Sequence, residues 1–222
     1  MVNSLSFRDF FWFWERNMVR CAEWLMYSEE FRKLPLHERI EIFKLVWAVW
    51  RKIERNTMSA EVFGQKCYDD KILLLSDKVA CRVDHFSMDV SEFWKADFKT
   101  ISSFFGSNNL NYYESLVKPY LDLQLTPTEV TFILCQVVWN YAGRKLNGQT
   151  QKAADVFLEQ ISNGLNDFYH KNLRNYAPRL ARIMQIVNQI LVLQSKQEKI
   201  MDMILLFDYF NTSFSDPAFF CV

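Results

Sequence analysis

Glycine and proline are both scarce in this sequence, which has only five of each in 222 residues. A β-sandwich or β-barrel of this length would need a turn about every 8–12 residues, so the scarcity of turn-forming residues argues against both classes. The length suits one sizeable domain and is short for two. We therefore predict a single all-α domain that covers residues 1–222.

The sequence has no excess of charge of either sign, because 26 Lys and Arg residues balance 26 Asp and Glu residues. Such a chain has no overall field that would attract nucleic acid or an acidic membrane. It also lacks a long apolar run, since charged residues such as Arg8, Asp9 and Glu15 interrupt the aromatic N-terminus. A membrane span needs about 18 uninterrupted apolar residues. We expect no direct binding of nucleic acid, no membrane span and no signal peptide.

Motifs that carry catalysis or hold a metal are absent as well. The five cysteines are scattered and form no Cys-x-x-Cys pair, which fits reduced thiols and argues against a zinc site. His37 shares a helix face with Glu41, but no third ligand accompanies them, and a solvated helix start is the simpler interpretation. The sequence has no glycine-rich phosphate loop and no Gly-x-Ser-x-Gly. We expect neither an enzyme nor a resident cofactor.

Half of the residues are apolar and 16% are aromatic, and they recur at helical spacing through most of the chain. The clearest helix start is Thr126, which precedes Pro127 and lies three residues before Glu129, and Gly143 is predicted to follow the end of that helix. The other predicted helices cover about residues 5–30, 36–55, 92–105 (capped by Ser91 and ended by "GSNN"), a stretch before Pro119, 149–172 and 178–210.

One short segment has the composition of a β-strand. The run "ILLL" at residues 72–75 lies between Asp70 and Asp77 and is the only convincing β signal in the chain. It is too short to form the core of a sheet and suits a two-stranded ribbon. The last residues, 210–222, are too short and too interrupted by proline to predict a robust helix.

The stretch from Trp24 to Phe43 carries a spacing that helical periodicity alone does not require. Its fixed positions are Trp24, Leu25, Met26, Phe31, Leu34, Glu38, Arg39, Ile42 and Phe43. These residues keep every gap in the signature of nuclear hormone receptor ligand-binding domains, which the chain resembles. The phrases "LTPTEVTFILCQVVWNYAGRKL" and "FSDPAFF" resemble the expanded nematode receptors derived from the hepatocyte-nuclear-factor type. The resemblance implies a three-layer antiparallel sandwich of about ten helices with a small two-stranded β-ribbon.

The resemblance also implies a function in transcription. In the family, a groove outside the first two helices binds a short leucine-rich coregulator helix. The corresponding groove residues here are Met26, Phe31, Arg39, Ile40, Phe43 and Lys44. Two family charges that hold the ends of the peptide are missing, because Met26 replaces a Lys and no Glu follows Asp208, although Lys44 remains. Each such contact contributes about 0.3–1 kcal/mol, so we expect weaker coregulator binding and an atypical terminal activation helix that acts without a ligand.

A ligand pocket is the second implied site, between the first helix, the ribbon and the long late helix. Its lining would be Phe10, Phe13, Trp14, Asn17, Cys21, Leu75, Ser76, Gln197, Ile200, Met201 and Ile204. A stripe of Phe, Trp and Met at helical spacing is at least as often plain core, so both interpretations stay open. Asn17 and Gln197 are the informative pair, because buried amides need hydrogen-bond partners.

The charge near this pocket bears on the ligand. The hepatocyte-type relatives hold a fatty acid carboxylate with an Arg, and Met58 occupies that position here, with Arg51 and Arg55 nearby. If neither Arg reaches the pocket, a buried carboxylate would have no partner, and a fatty acid should not bind. A sensor or carrier for another small hydrophobic molecule is the alternative function.

The long last helix is predicted to be apolar on more than one face, which indicates either a central position or a second chain. The resemblance implies a homodimer or receptor heterodimer formed through Arg179, Ile183, Ile186, Val187 and Ile190. It also implies a location in the nucleus, with or without a cytoplasmic pool. The family's zinc-bound DNA-binding module cannot be built here, so we expect a domain cut from a longer receptor or a product without that module. The start at Met1 favours the second.

Overall fold

The computed structural model describes residues 1–211, 216 and 219 of the chain. Its helices are α1 (Phe7–Met26), α2 (Glu29–Lys33), α3 (Leu36–Phe63), α4 (Gln65–Asp69), α5 (Phe98–Tyr112), α6 (Lys118–Leu123), α7 (Pro127–Leu146), α8 (Gly148–Asn172) and α9 (Ala177–Leu206). Its strands are β1 (Ser4–Ser6), β2 (Ile72–Leu74), β3 (Ala80–Arg82) and β4 (Ser87–Asp89). The predicted all-α class is therefore confirmed.

Helices α3 and α7 form the middle of the fold. Helix α3 packs against α1 and against α7, and α7 in turn packs against α8 and α9. Trp47 and Trp50 of α3 and Trp139 of α7 are all buried in the main core. Because both helices are covered on several sides, the domain has the layered helical architecture that the resemblance implies.

The start of α7 follows directly from its sequence. The Thr126 side chain accepts a hydrogen bond from the Glu129 N–H, and the Glu129 carboxylate accepts one from the Thr126 N–H. This reciprocal pair satisfies two donors at the helix start. Gly143 does not end the helix as predicted, since α7 continues to Leu146. A Cβ at Gly143 would lie 3.0 Å from the Ala154 Cβ, so this glycine allows α7 and α8 to pack closely.

The first two predicted helices have different ends in the structure. Helix α1 ends at Met26 rather than continuing to residue 30, because Ser28 caps a separate helix, α2, by accepting a hydrogen bond from the Phe31 N–H. Helix α3 is longer than predicted and runs past Arg55. Gly64, at a φ of +56°, ends it.

The helix predicted at residues 92–105 is wrong in position. Ser91 forms a turn with Asp89, and Asp97 caps α5 instead. The "GSNN" stretch lies inside α5 rather than ending it. The helical path then continues through a π-helical stretch, Tyr113–Val117, into α6. Pro119 lies in the first turn of α6, in keeping with the tolerance of helix starts for proline.

The predicted ribbon is confirmed, because β2 and β3 pair antiparallel with Leu73 opposite Cys81. A second pairing is not predicted by the sequence: β1 lies parallel to β4, with Leu5 opposite Met88. Each of these strands has three residues with a single apolar residue at its centre, which is too short a pattern to identify a strand. The ribbon lies beside α3, and β1 lies beside α1.

The last two long helices agree with the prediction to within a few residues. Helix α8 begins one residue earlier than predicted, and α9 ends at Leu206 rather than near residue 210. None of the helices in the described ranges combines the length and the apolar content that crossing a bilayer requires. The prediction for residues 210–222 concerns a segment that lies mostly outside the described residues.

Candidate functional site

A cavity of about 470 Å³ lies between α1, α3, α5, the ribbon and the end of α9. Its volume falls in the range of roughly 300–1,000 Å³ that is usual for small-molecule sites. Aromatic side chains form much of its wall, namely Phe10, Trp14, Trp47, Phe86, Phe93, Trp94, Phe98, Phe105 and Phe210. The aromatic stripe of α1 therefore borders a cavity as well as the core.

The structure brings only part of the predicted lining to this cavity. The residues that line it are Phe10, Trp14, Leu75, Gln197 and Met201. Phe13 and Ser76 line a separate surface depression of about 510 Å³. Ile200 and Ile204 belong to an apolar cluster with Phe210 at the end of α9, next to the cavity.

Asn17 and Cys21 do not line the cavity. The Asn17 side chain donates a hydrogen bond to the Phe13 carbonyl at 2.6 Å and accepts one from Arg55 Nε at 3.1 Å. Both ends of the amide therefore have protein partners. Cys21 is fully buried in the main core, where burial raises the pKa of its thiol. Both residues serve the packing of α1 rather than the cavity.

Three parts of the wall are missed by the sequence analysis: α3, the segment 83–94 and α5. The segment 83–94 contains a single 3₁₀ turn (Val83–His85) and the short strand β4, and it has no period that would single it out. Helix α3 does carry a signal, because Arg51 follows Trp47 by about one helical turn and so shares its face. A charged residue on an apolar helix face is therefore the sequence signal that could identify this part of the cavity wall.

Arg51 and Lys52 place two basic side chains in the cavity wall. Arg51 Nε and Lys52 Nζ are shielded from solvent, and neither atom has a hydrogen-bond partner among the described residues. The Arg51 guanidinium carbon lies 5.5 Å from the ring centre of Trp14 and 6.0 Å from that of Trp47. Burial, and then the charge of Arg51, lowers the pKa of Lys52 to about 7. Burial also lowers the pKa of Arg51 to about 10, with a further contribution from Arg55.

The other two positions considered for an acidic ligand lie outside the cavity wall. Arg55 is ion-paired with Glu54 at 2.8 Å and also binds Asn17. Met58 packs against Ile72 and neighbouring residues of the ribbon. Arg51 therefore meets the condition on which a buried carboxylate depends, and Arg55 does not.

The groove predicted for a coregulator lies where the end of α1 meets α3. Met26 and Ile40 expose 42% and 41% of their surface, and Arg39 Nη1 lies 3.9 Å from the Met26 sulfur. Phe43 is half-buried at the groove. Phe31 lies in the core beneath it, where it anchors the turn rather than lining the groove.

The chain's own C-terminal segment contacts the other end of this groove. Asp216 Oδ2 lies 2.7 Å from Lys44 Nζ. The Phe219 ring meets Phe43 edge-on, with 6.0 Å between ring centres, and its carbonyl accepts a hydrogen bond from Trp47 Nε1 at 3.1 Å. Lys44 is therefore not a free cation at the end of the groove.

Four of the five residues predicted for dimerisation lie inside the core of a single chain, and the fifth, Arg179, forms an ion pair within that chain, which corrects the set. The four apolar members, Ile183, Ile186, Val187 and Ile190, expose at most 3% of their surface. Arg179 is ion-paired with the buried Glu129. Helix α9 is apolar on several faces because it is central and packs on α5 and α7. Its exposed apolar residues are instead Val192, Met203 and Leu206.

The described thiols and acidic residues form no evident reactive centre. Within the described ranges, no three His, Cys, Asp or Glu side chains are grouped closely enough to hold a metal ion. Cys67, Cys81 and Cys135 are free and buried. Burial raises the pKa of each of these three thiols to about 12, which leaves almost no thiolate at neutral pH.

Comparison with known proteins identifies the family of this helical domain. The sequence model of the family described as the ligand-binding domain of nuclear hormone receptor matches residues 1–207. The chain belongs to the nuclear hormone receptor family. The resemblance seen in the Trp24–Phe43 signature is thereby confirmed. The family consists of receptors rather than enzymes.

The individual relatives of this receptor domain include nematode nuclear hormone receptors. It is 52% identical over 228 residues to nuclear hormone receptor family member nhr-54 of Caenorhabditis elegans, covering 99% of this chain and 54% of that protein. It is 30% identical over 221 residues to nhr-213 of the same organism, covering 99% of this chain and 53% of that protein. The chain thus spans about half the length of these curated relatives.

Among solved structures, the ultraspiracle ligand-binding domain of Drosophila melanogaster superposes with a TM-score of 0.65 at 12% identity. The match covers 94% of this chain and 76% of that one. At this identity the likeness speaks for the fold alone. It agrees with the helical architecture and the small antiparallel ribbon described above.

Proposed function

We propose that this domain regulates transcription in the nucleus by binding the short amphipathic helix of a coregulator in the groove between the end of α1 and the first half of α3. The observation that carries the proposal is the contact with the chain's own C-terminal segment. Phe219 packs on Phe43, and Asp216 binds Lys44. An apolar side chain in the groove with a charge at its end is the chemistry of helix-in-groove recognition.

Arg39 supplies the charge at the opposite end of the groove. The family's Lys is Met26 here, but the Arg39 guanidinium lies against the Met26 sulfur. A coregulator helix whose last carbonyls face Arg39 gains the interaction between a cation and the negative end of a helix dipole. That interaction contributes about 0.3–1 kcal/mol, so Arg39 offsets most of what the substitution at Met26 removes.

The proposal is tested by titrating fluorescently labelled leucine-rich coregulator peptides and following polarisation. Met26→Asp removes apolar contact and puts an acid beside the peptide's C-terminal carbonyls, so we expect about a tenfold loss of affinity, roughly 1.4 kcal/mol. Val156→Asp on α8 is the matched control, because Val156 is exposed to 44% and Met26 to 42%. Lys44→Glu is expected to weaken binding by about threefold. Equal affinities for all four proteins would contradict the groove.

Dimerisation through the outer face of α9 is part of the same proposal. The exposed Val192 lies in the middle of that face, on the side away from the buried isoleucines. We expect Val192→Glu to lower the dimer fraction in sedimentation equilibrium. A protein that stays monomeric at the highest concentration reached, with or without the substitution, would contradict it.

A second candidate function is sensing of a small hydrophobic ligand, and the aromatic cavity of about 470 Å³ favours it. It predicts that an apolar molecule co-purifies with the protein and raises its melting temperature. Native mass spectrometry detects such a molecule. Its complete removal with no fall in melting temperature would contradict this function, while leaving the groove untouched.

A further inference from the structure

We propose that the cavity binds an acidic, largely apolar molecule whose carboxylate is held between Arg51 and Lys52. This inference rests on the second candidate function, the cavity as a ligand site, and is independent of the coregulator groove. It names the chemical class of the ligand and the two residues that select it. The ligand's carboxylate binds Arg51 and Lys52, and its apolar part packs against the aromatic wall.

Within the described part of the chain, the two cations lack the partners that buried charges normally have. Arg51 Nε and Lys52 Nζ are shielded from solvent and without a hydrogen-bond partner among the described residues. Buried charged groups in folded proteins are normally paired, because an unpaired buried charge is costly. The next basic residue of the same helix follows that rule, since Arg55 binds both Glu54 and Asn17. A ligand carboxylate satisfies Arg51 and Lys52 in the same way.

The charge of the cavity wall also favours an acidic ligand. Asp84 is the one acidic side chain among the described residues that line the cavity. It is 41% exposed, and its Oδ1 lies 2.7 Å from Nδ1 of the exposed His85, which places it at the solvent side of the wall. The buried part of the wall is therefore positive. A neutral or cationic ligand would leave that charge uncompensated.

The protonation of Lys52 is consistent with this role. Burial and the charge of Arg51 hold its pKa at about 7, so the amine gives up its proton easily in the absence of an anion. A carboxylate beside Nζ favours the protonated amine and forms a charge-assisted hydrogen bond with it. Binding of an acid therefore converts an unfavourable buried charge into a paired one.

The position of this pair also differs from the one that the family resemblance implies. The family's carboxylate-binding Arg corresponds to Met58, which packs against the ribbon. Lys52 and Arg51 precede Met58 by six and seven residues, or about 9–10 Å along α3 at 1.5 Å per residue. The ligand's acid is thus held about two turns earlier on the helix than the Met58 position would place it.

The test is isothermal titration of the purified domain with two acids and their neutral methyl esters. Dodecanoic acid and methyl dodecanoate provide the aliphatic pair, and 1-pyrenebutyric acid and its methyl ester provide the aromatic pair. We expect at least one acid to bind ten times or more tighter than its ester. Which acid binds distinguishes an aliphatic from an aromatic ligand body.

Two variants assign the selectivity to the cations. Lys52→Met and Arg51→Met each keep an unbranched apolar side chain at the position and remove the charge, and we expect each to bring the affinity for the acid to within about threefold of that for the ester. Lys196→Met, at an exposed position of α9, is the control that should change neither affinity. If one variant fails to fold, the other carries the test.

Two outcomes overturn the inference, and they are distinguishable. Equal affinity of acid and ester in the wild-type protein would show that the cations do not select the ligand, while the cavity still binds apolar molecules. Binding of neither acid nor ester would remove the cavity as a ligand site altogether. The peptide titration of the groove is independent of both results.

Discussion

Two of the sites that bury charged atoms among the described residues, one around Glu129 and one at Arg51 and Lys52, differ in how those atoms are paired. Around Glu129, which is fully buried, both carboxylate oxygens accept hydrogen bonds. Tyr169 Oη and Arg179 Nη2 each donate at 2.7 Å, and Thr126 donates from its N–H and its hydroxyl. Arg51 and Lys52 in the cavity wall have unpartnered, solvent-shielded nitrogen atoms instead.

The Glu129 carboxylate is paired and stabilises the fold, whereas the charges of Arg51 and Lys52 are unpaired in the part of the chain that the structure describes and do not. The Glu129–Arg179 pair joins the start of α7 to the start of α9, and Arg179 also donates to the Leu123 carbonyl at 2.8 Å. Removing one partner there leaves a buried charge alone. Removing the charge of Lys52 takes away a group that has no partner to lose. The two sites should therefore respond to similar substitutions with opposite sign.

The largest expected effect is at Arg179. Arg179→Met leaves the Glu129 carboxylate buried without its cation, so we expect the free energy of unfolding to fall by about 3–5 kcal/mol. Urea unfolding measures it. Arg174→Met, at an exposed position before α9, is the control and should change stability by less than about 0.5 kcal/mol. Equal values for the two variants would remove the basis of the comparison.

The second prediction uses pH on the same cluster. Burial by itself would raise the pKa of Glu129, but hydrogen bonds from Arg179, Thr126 and Tyr169 hold it at about 2, below its ordinary 4.5. Because the folded value is the lower one, this stability is present above pH 4.5 and is lost as pH falls through 2. It amounts to about 3 kcal/mol at 1.36 kcal/mol per pKa unit.

Urea unfolding between pH 2 and pH 6 checks this prediction. Glu129→Gln should flatten the pH dependence, and Glu159→Gln at an exposed position of α8 should leave it as in the wild type. A Glu129→Gln curve parallel to that of the wild type would mean that this carboxylate does not titrate differently in the folded state.

Lys52 provides the opposite case. Its folded pKa of about 7 lies below the ordinary 10.5, because of burial and the charge of Arg51. The unfavourable contribution is therefore fully present below pH 7 and disappears as pH rises to 10.5. We expect Lys52→Met to raise the free energy of unfolding by on the order of 1 kcal/mol at pH 6 and by less at pH 10. A loss of stability at pH 6, with Lys196→Met unchanged, would place Lys52 with the structural charges.

The smallest effect extends the comparison to the protein surface. The Lys44–Asp216 ion pair is partly exposed, so it should contribute little to the free energy of unfolding. Asp216→Ala removes one of the two acidic partners that Lys44 has among the described residues, the other being Glu41 Oε1 at 2.9 Å, and we expect coregulator peptides to bind about twofold more tightly in the polarisation titration. Tighter binding by tenfold or more would mean that the C-terminal segment closes the groove far more firmly than a surface ion pair allows.

Local signals in the sequence predict much of the fold. Thr126 and Glu129 predict the start of α7, because a capping box is satisfied by residues three apart. The signature from Trp24 to Phe43 predicts the family and its groove for a similar reason, since all its members lie within α1, α2, α3 and the turn between α2 and α3, which follow one another along the chain. The start of α5 is predicted wrongly, because Ser91 and Asp97 are both good caps and only the surrounding fold selects between them.

The cavity and the role of α9 depend on contacts between distant segments. The apolar pattern of α9 fits a central helix and a dimer helix equally well, and only packing against α5 and α7 decides that Ile183 and Ile190 are core. The cavity wall includes residues from the segment 83–94, whose sequence has no helical or strand period long enough to predict its position. Apolar spacing alone does not predict Lys52 as a wall residue, because a basic residue on an apolar helix face interrupts that pattern.

The most direct test of the account is the titration of Lys52 itself, followed by NMR of the protein with ¹³C-labelled lysine side chains. Lys52→Met assigns the signal. In the free protein the account predicts a pKa near 7, and with bound dodecanoic or 1-pyrenebutyric acid a pKa raised towards the ordinary 10.5. A Lys52 that titrates near 10.5 with and without the acids would contradict it.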